Sequence, residues 1–337
     1  MLLPLFTLLL SAAPAEIPAL QKEHKVPAVS IAYIENGKLA RTEVFGPVKP
    51  DTVFQAASIS KPVAATAALH MMQHGNFTLD EDVNPKLKSW RVPPPPFSTE
   101  HTTLRRLLTH TAGLTVHGFP GYAAGAPLPT LVQILNGEPP ANTKPIVPDI
   151  PPGSKFRYSG GGYTVMQQLL MDRIGWSFPQ IMDRMVLSRI GMKRSTYEQP
   201  LPESWAANAA IAHDDDGKPL KGRWHTYPEQ AAAGLWTTPT DLALWAIEIR
   251  EAYHGRSTKI IERSTARLML TPDQNGRGLG PVIEGTGPTL KFSHGGANAG
   301  YRCHFELEVE SGNGIVIMTN GDQGGAIIKA VLDSRKR

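Results

Sequence analysis

A single cysteine, Cys303, stands in 337 residues, so no disulfide can close within the chain and the fold must rest on its packed core. No apolar stretch reaches the ~20 residues that a bilayer-spanning helix needs, which excludes stable membrane insertion. Basic patches are missing as well. Lys and Arg are scattered, only Arg335-Lys336-Arg337 makes a run, and the net charge is +4, so nucleic acid is not a partner this composition suits. There is no internal repeat, and no set of His, Cys, Asp or Glu at metal-ligand spacing. The one acidic run, His213-Asp214-Asp215-Asp216-Gly217, lacks partner ligands and ends in Asp-Gly, the mark of a tight turn. With 41% hydrophobic and 19% charged residues the chain reads as globular, long enough to bury a large core in one big domain or two intimate lobes.

The N-terminus reads as a secretory signal: an apolar run from Leu2 to Leu10, then small residues with Ala13-Pro14-Ala15 as the cleavage site. A buried N-terminal helix is the plainer alternative. No Cys follows the run, which excludes lipid anchoring by that route. Residues 16–337 are expected to form the mature domain, periplasmic or secreted.

Residues Val29 to Phe45 read as two strands joined at Asn36-Gly37, a strong hairpin signal. From Ser58 to about Leu270 the pattern turns helical, with helices expected at Leu104 to Leu108, Gly162 to Ile174, Phe178 to Ile190 and Thr240 to Tyr253. Proline-rich connectors interrupt this part at Pro93 to Pro96 and between Pro120 and Pro152. Strand signals return at Gly280 to Glu284, Leu290 to Ser293, Tyr301 to Val309 and Ile315 to Thr319. An isolated hairpin is marginal by itself. The economical fold is therefore α+β: one antiparallel sheet of about five strands drawn from both chain ends (about 26–56 and 271–337), flanked by helices, with a helical insertion over about 57–270.

Three stretches carry chemistry. The first is Gln55-Ala56-Ala57-Ser58-Ile59-Ser60-Lys61-Pro62, heading an apolar run of helical period that stops at Gly75. Pro62 must lie in the first turn of that helix, which puts Ser58 and Lys61 one turn apart on one face. A serine hydroxyl needs a base within reach to become a nucleophile, and a lysine amine can be that base. The unpaired N–H groups of the helix start favour the charge that develops in acyl transfer. The second stretch, Tyr158-Ser159-Gly160-Gly161-Gly162, presents a tyrosine that could move a proton from a glycine-rich turn. The third, Phe292-Ser293-His294-Gly295-Gly296-Ala297-Asn298-Ala299-Gly300, is a strand edge whose glycines would leave backbone N–H groups open to a ligand. Each alone is as well read as a cap, a solvated lysine or a plain turn.

In this order the three resemble the motifs of the serine β-lactamase and penicillin-binding-protein superfamily, in its class C-like branch, which also holds DD-peptidases, D-amino-acid-specific peptidases and amidases, and carboxylesterases. The stretches Leu107 to Leu114, Leu187 to Met192 and Ala232 to Pro239 are similar too, and the likeness runs from about Ile17 to Asp333. It implies the β-lactamase/transpeptidase-like fold, with the active site between sheet and helical lobe. It makes Ser58 the acylated nucleophile, Lys61 and Tyr158 the proton-transfer pair, His294 the catalytic strand residue, and the N–H groups of Ser58 and Ala297 the oxyanion hole. Gly160, Gly295 and Gly296 would contact substrate, and the aromatic loop residues Trp224 and Tyr227 are candidates to line the cleft.

Two departures bear on substrate. Lactamases and many peptidases of the superfamily carry Lys-Thr-Gly where His294-Gly295-Gly296 stands, and class C lactamases carry Asn at Gly160. A histidine replaces the lysine's charge only while protonated, so ester, amide or D-peptide hydrolysis is expected ahead of efficient β-lactam hydrolysis. The alternative is a protein that acylates without turnover, as a penicillin-binding or peptidoglycan-sensing module, or a weak β-lactamase. The expected partner is a small-molecule or peptide substrate, with no cofactor and no metal. His110 reads as a structural hydrogen-bonding residue, and Cys303 as a small buried hydrophobe.

Overall fold

The computed structural model describes residues 16–95 and 101–335. The signal-like segment 1–15, the last residue of the Pro93 to Pro96 connector and the final Lys336-Arg337 lie outside them. Eight strands are present among the described residues: β1 (Val29–Glu35), β2 (Lys38–Phe45), β3 (Phe54–Gln55), β4 (Trp236–Thr237), β5 (Val282–Glu284), β6 (Lys291–Asn298), β7 (Tyr301–Glu308) and β8 (Gly314–Thr319). Six of them form one antiparallel sheet in the order β2-β1-β8-β7-β6-β5. The expected union of the two chain ends is thus direct: Val29 faces Thr319 and Ile34 faces Gly314 across β1 and β8. The sheet has six strands where about five were expected.

The β1–β2 turn forms at Asn36-Gly37 because both residues take positive φ (52° and 73°), the geometry that matches the twist of two-residue hairpins. β1 and β8 are buried along nearly their whole length because they are covered on both faces, and their sequences are accordingly mostly apolar. Val29, Ile31, Tyr33, Ile315 and Ile317 pack under the terminal helices α1 (Ile17–Glu23) and the last helix (Gly324–Ser334). Ala32, Ile34, Val316 and Met318 face the main core.

Between the sheet halves run α2 (Ser60–Gln73), α3 (Leu104–Leu108), α4 (Leu131–Asn136), α5 (Gly160–Ile174), α6 (Phe178–Met182), α7 (Glu203–Ala206), α8 (Gln230–Ala233), α9 (Pro239–Tyr253) and α10 (Arg263–Met269); the last helix is α11. The expected helix from Phe178 to Ile190 is real only to Met182. It then loosens into a π turn (Asp183–Leu187) and a 3-10 turn (Ser188–Ile190). α9 lies on the sheet, where Trp245 meets Phe305 edge-on at 5.2 Å. The Trp245 indole N–H donates to Thr66 Oγ1 of α2 at 3.0 Å, so one side chain ties the sheet layer to the helix that follows Ser58. α2 is apolar all round because it is buried all round, and its Ala64, Ala65, Ala67 and Ala68 let neighbours approach closely.

Two small devices aim the site. β3 pairs with β4, and the Ala56 N–H donates to Leu235 O at 2.8 Å, fixing the chain just before Ser58 to the chain just after α8. α5 begins at Gly160 because the Ser159 hydroxyl accepts the Gly162 N–H at 3.0 Å, an N-cap that leaves Tyr158 on the loop ahead of the helix.

Candidate active site

Ser58 sits in a 3-10 turn (Ala57–Ile59) that runs into α2. Between Thr52 and Met71 it is the one residue that is not buried. Ala57 before it holds φ at 51°, a left-handed backbone that costs an alanine of order 1 kcal/mol and turns Ser58 outward. The third residue of the motif also has a task. Ser60 Oγ accepts the Leu235 N–H at 2.9 Å and Ser60 O accepts the Tyr197 hydroxyl at 2.8 Å, clamping the turn from two sides.

Lys61 is 2% exposed. Its Nζ lies 3.1 Å from Ser58 Oγ and donates to Ala232 O at 2.8 Å. It makes no ion pair with a carboxylate among the described residues, and it stands 5.0 Å from the Tyr158 ring centre. Amine, hydroxyl and phenol therefore share one cleft of about 820 Å³, whose far wall is His294, Gly295, Gly296, Ala297 and Asn298 of β6. β5 pairs only with Lys291 to Ser293, so β6 beyond Ser293 is an open edge facing the serine. The first N–H groups of a helix have no acceptor within it; that leaves the Ser58 amide free to face a substrate oxygen.

Tyr158 is held by rings. His110 stacks on it at 4.2 Å and His117 tilts against it at 4.9 Å. His110 Nδ1 accepts the Ser159 N–H at 3.1 Å, which puts the ring proton on Nε2. Burial first, then the nearby charge of Lys61, holds its pKa well below the usual histidine range. It is a neutral spacer, as its structural reading had it. His294 is also neutral: burial, reinforced by Lys61, pushes its pKa down to about 3. Its Nδ1 donates to Gly295 O at 2.6 Å, and the buried Nε2 finds no partner among the described residues.

The two strand glycines differ. A Cβ on Gly296 would lie 2.3 Å from Ala56 O, whereas one on Gly295 would meet nothing closer than Cys303 O at 3.9 Å. Gly296 lets β6 approach the nucleophile turn; Gly295 simply faces the opening. Asn298 closes the floor, its amide donating to Gln55 Oε1 at 2.7 Å and to Ala233 O at 3.1 Å.

Three expected contacts fall outside the lining. Tyr227 is fully buried because its hydroxyl bridges loops, accepting the Ala299 N–H at 3.0 Å and donating to Pro120 O at 3.3 Å. Trp224 packs edge-on against Trp236 at 5.0 Å, under the Arg223 guanidinium. Gly160 lies behind the lining: a Cβ there would touch Phe119 and His117 O, and those residues, not Gly160, face the cleft. His117, Phe119 and Arg277 line the site and were missed, whereas Asn298, which also lines it, stands in the third stretch. The missed three sit in loops, with no periodic or motif signal to mark them.

Two other readings stand. His213 to Gly217 is a turn, with Asp214 Oδ1 accepting the Asp216 and Lys218 N–H groups. Cys303 is buried, its thiol pushed up by burial and donating to Gln55 O at 3.1 Å.

Known proteins similar to this chain are numerous. The family model described as Beta-lactamase matches residues 14–332. A β-lactamase of Pseudomonas fluorescens is 25% identical over 67% of this chain and 60% of its own length. Esterase EstB of Burkholderia gladioli is 27% identical over 61% of this chain and 55% of its own. A D-aminopeptidase of Gluconobacter oxydans is 23% identical over 96% of this chain and 60% of its own. The chain thus spans somewhat over half the length of these relatives. Among solved structures, the D-alanine carboxypeptidase AmpC of Burkholderia cenocepacia superposes with a TM-score of 0.71 at 19% identity, covering 95% of this chain and 97% of its own.

Proposed function

Because the chain belongs to the Beta-lactamase family of serine hydrolases, we propose that it cleaves ester or amide bonds of small or D-configured acyl groups through an acyl-Ser58 intermediate. The observation that carries this reading is the 3.1 Å approach of Lys61 Nζ to Ser58 Oγ inside a cleft shared with Tyr158. In the reaction Ser58 Oγ attacks the substrate carbonyl and its proton passes to the Lys61 and Tyr158 pair. The carbonyl oxygen becomes an oxyanion held by the Ser58 and Ala297 N–H groups, each such donor being worth about 10²–10³ in rate. Tyr158 then gives a proton to the leaving group, and water, deprotonated by the same pair, releases the acid and restores Ser58. His294 enters this scheme uncharged, as part of the wall that orients Tyr158.

An uncharged residue at the strand position argues against β-lactams as the preferred substrates, since it offers their carboxylate no cation from β6. Export is part of the proposal, resting on the apolar run Leu2 to Leu10; among the described residues no helix is long and apolar enough to cross a membrane.

The test is a substrate panel on purified protein: 4-nitrophenyl acetate, a D-alanine 4-nitroanilide and nitrocefin, with fluorophosphonate labelling in parallel. Continuing ester or amide turnover, with label on Ser58, is expected. A stoichiometric burst without turnover instead identifies an acylating sensor, and labelling that survives Ser58→Ala removes the assignment.

A further inference from the structure

A phenol that protonates a departing group has to be held to within a fraction of an ångström, yet nothing grips the Tyr158 oxygen itself. Among the described residues its hydroxyl makes no hydrogen bond, and it stands on the loop ahead of the Ser159 cap of α5. Its place is therefore set by its ring and by its backbone. One residue reaches both. His110 stacks on the Tyr158 ring at 4.2 Å with 28° between the planes. It also holds the chain on either side of that tyrosine: His110 O accepts the Arg157 N–H at 2.9 Å, and His110 Nδ1 accepts the Ser159 N–H at 3.1 Å.

Filling space does not account for an imidazole at this place. The opposite ring nitrogen, Nε2, is buried and has no hydrogen-bond partner among the described residues. An apolar ring would fill the same volume without a buried N–H left unpaired, so what the imidazole contributes is the acceptor at Nδ1. The backbone carries a second mark. His110 has φ of 60°, a left-handed conformation that a residue with a side chain keeps only where its surroundings enforce it. They do so here by stitching the turn after α3 to the segment that bears Tyr158. Leu108 O accepts the Tyr163 hydroxyl at 3.0 Å, Thr111 O accepts the Gly153 N–H at 2.7 Å, and Gly113 O accepts from the Arg157 guanidinium at 2.5 Å.

We infer that His110 is a positioning residue for proton transfer, whose carbonyl, Nδ1 and ring face together hold Tyr158 where its phenol can protonate the leaving group. It acts through Tyr158 alone, since it is 3% exposed and does not line the cleft. This rests on the acyl-Ser58 reading above, and the two can fail separately.

The test compares phenyl acetate with 4-nitrophenyl acetate in the first turnover. Both give the same acetyl-Ser58, so they differ only in acylation, and the more basic phenolate has the greater need of a proton. His110→Phe keeps a ring and loses the acceptor. It should slow the phenyl ester by about 10²-fold, the cost of a displacement of about 1 Å, and the nitrophenyl ester by about tenfold less. His110→Asn should restore most of the ratio of the two rates, because its amide oxygen falls close to the place of Nδ1 and asparagine accepts a left-handed backbone. His110→Gln, whose oxygen reaches the place of Nε2, should not. These two variants decide the question by themselves if His110→Phe does not fold. In a Tyr158→Phe background the ratio should stop responding to position 110. Equal losses on both esters, a glutamine that serves as well as asparagine, or a ratio that still responds once the Tyr158 hydroxyl is gone would each overturn the inference while leaving the nucleophile in place. Phenol release that persists in Ser58→Ala would instead overturn the reading on which it rests.

Discussion

The two walls of the cleft are built on opposite principles. The helical wall, from Ala56 to Lys61, is clamped at nearly every atom. Leu235 holds Ala56 and Ser60, Tyr197 holds Ser60, and Ala232 holds Lys61. The strand wall, from His294 to Asn298, is an edge with no strand paired on its outer side among the described residues, two glycines and a neutral histidine. A wall that makes and breaks bonds has to place atoms to within a few tenths of an ångström. A wall that only receives a substrate backbone has to stay open. The difference teaches where variation in chemistry can be housed: on the open edge and in the turns beside it.

Breaking the clamped wall should produce the largest effects. Ser58→Ala should lower hydrolysis by roughly 10⁶ and abolish fluorophosphonate labelling, with far-ultraviolet circular dichroism unchanged. Lys61→Met should lower acylation by about 10²–10⁴, the usual worth of a positioned proton carrier. Stopped-flow measurement of the first turnover reads this directly. On the strand wall the paired glycines sharpen the contrast. Gly296→Ala drives a methyl group onto Ala56 O and should cost about 1–3 kcal/mol of stability, seen as a lower Tm together with lost acylation. Gly295→Ala meets open space and should leave Tm within about 1 °C, any effect falling on KM, because a surface change of this kind is worth less than ~0.5 kcal/mol.

A separate effect, read in pH, concerns the support behind the clamped wall. Glu229, at the start of α8, is fully buried, and burial raises its pKa from 4.5 to about 8. The folded protein therefore keeps a proton that the unfolded chain releases above pH 4.5. Stability from this group is complete below that pH and is lost as pH rises towards 8. Melting curves between pH 5 and 8 should show Tm falling less steeply in Glu229→Gln than in the wild type.

How much of this was legible in the sequence follows from what kind of signal each part leaves. The hairpin at Asn36-Gly37 and the helix after Ser58 are dictated by local chemistry, a turn pair that accepts positive φ and an apolar period broken by Pro62, and both stand where expected. The sheet portion expected over about 271–337 ends in α11, which no sequence signal singled out, since it is rich in the β-branched Ile327, Ile328 and Val331 that local propensity assigns to strands. Packing against β1 and β8 overrides that preference. Tyr227 and Trp224 looked like ligand contacts because loop aromatics often are. Only the tertiary partners Ala299, Pro120 and Trp236 show that they are internal struts. Arg277 could not be singled out, since it stands in a turn whose place beside the cleft is decided only by the fold.

The pairing of β1 with β8 has a bearing on how the protein comes into being. The first hairpin to leave the ribosome has to wait for the last strand of the sheet, with almost the whole chain made in between. Closing so long a loop is slow, and the open edge that forms one side of the cleft belongs to strands that emerge last. Ser58 is made early in synthesis, and the strand edge that faces it across the cleft only near the end.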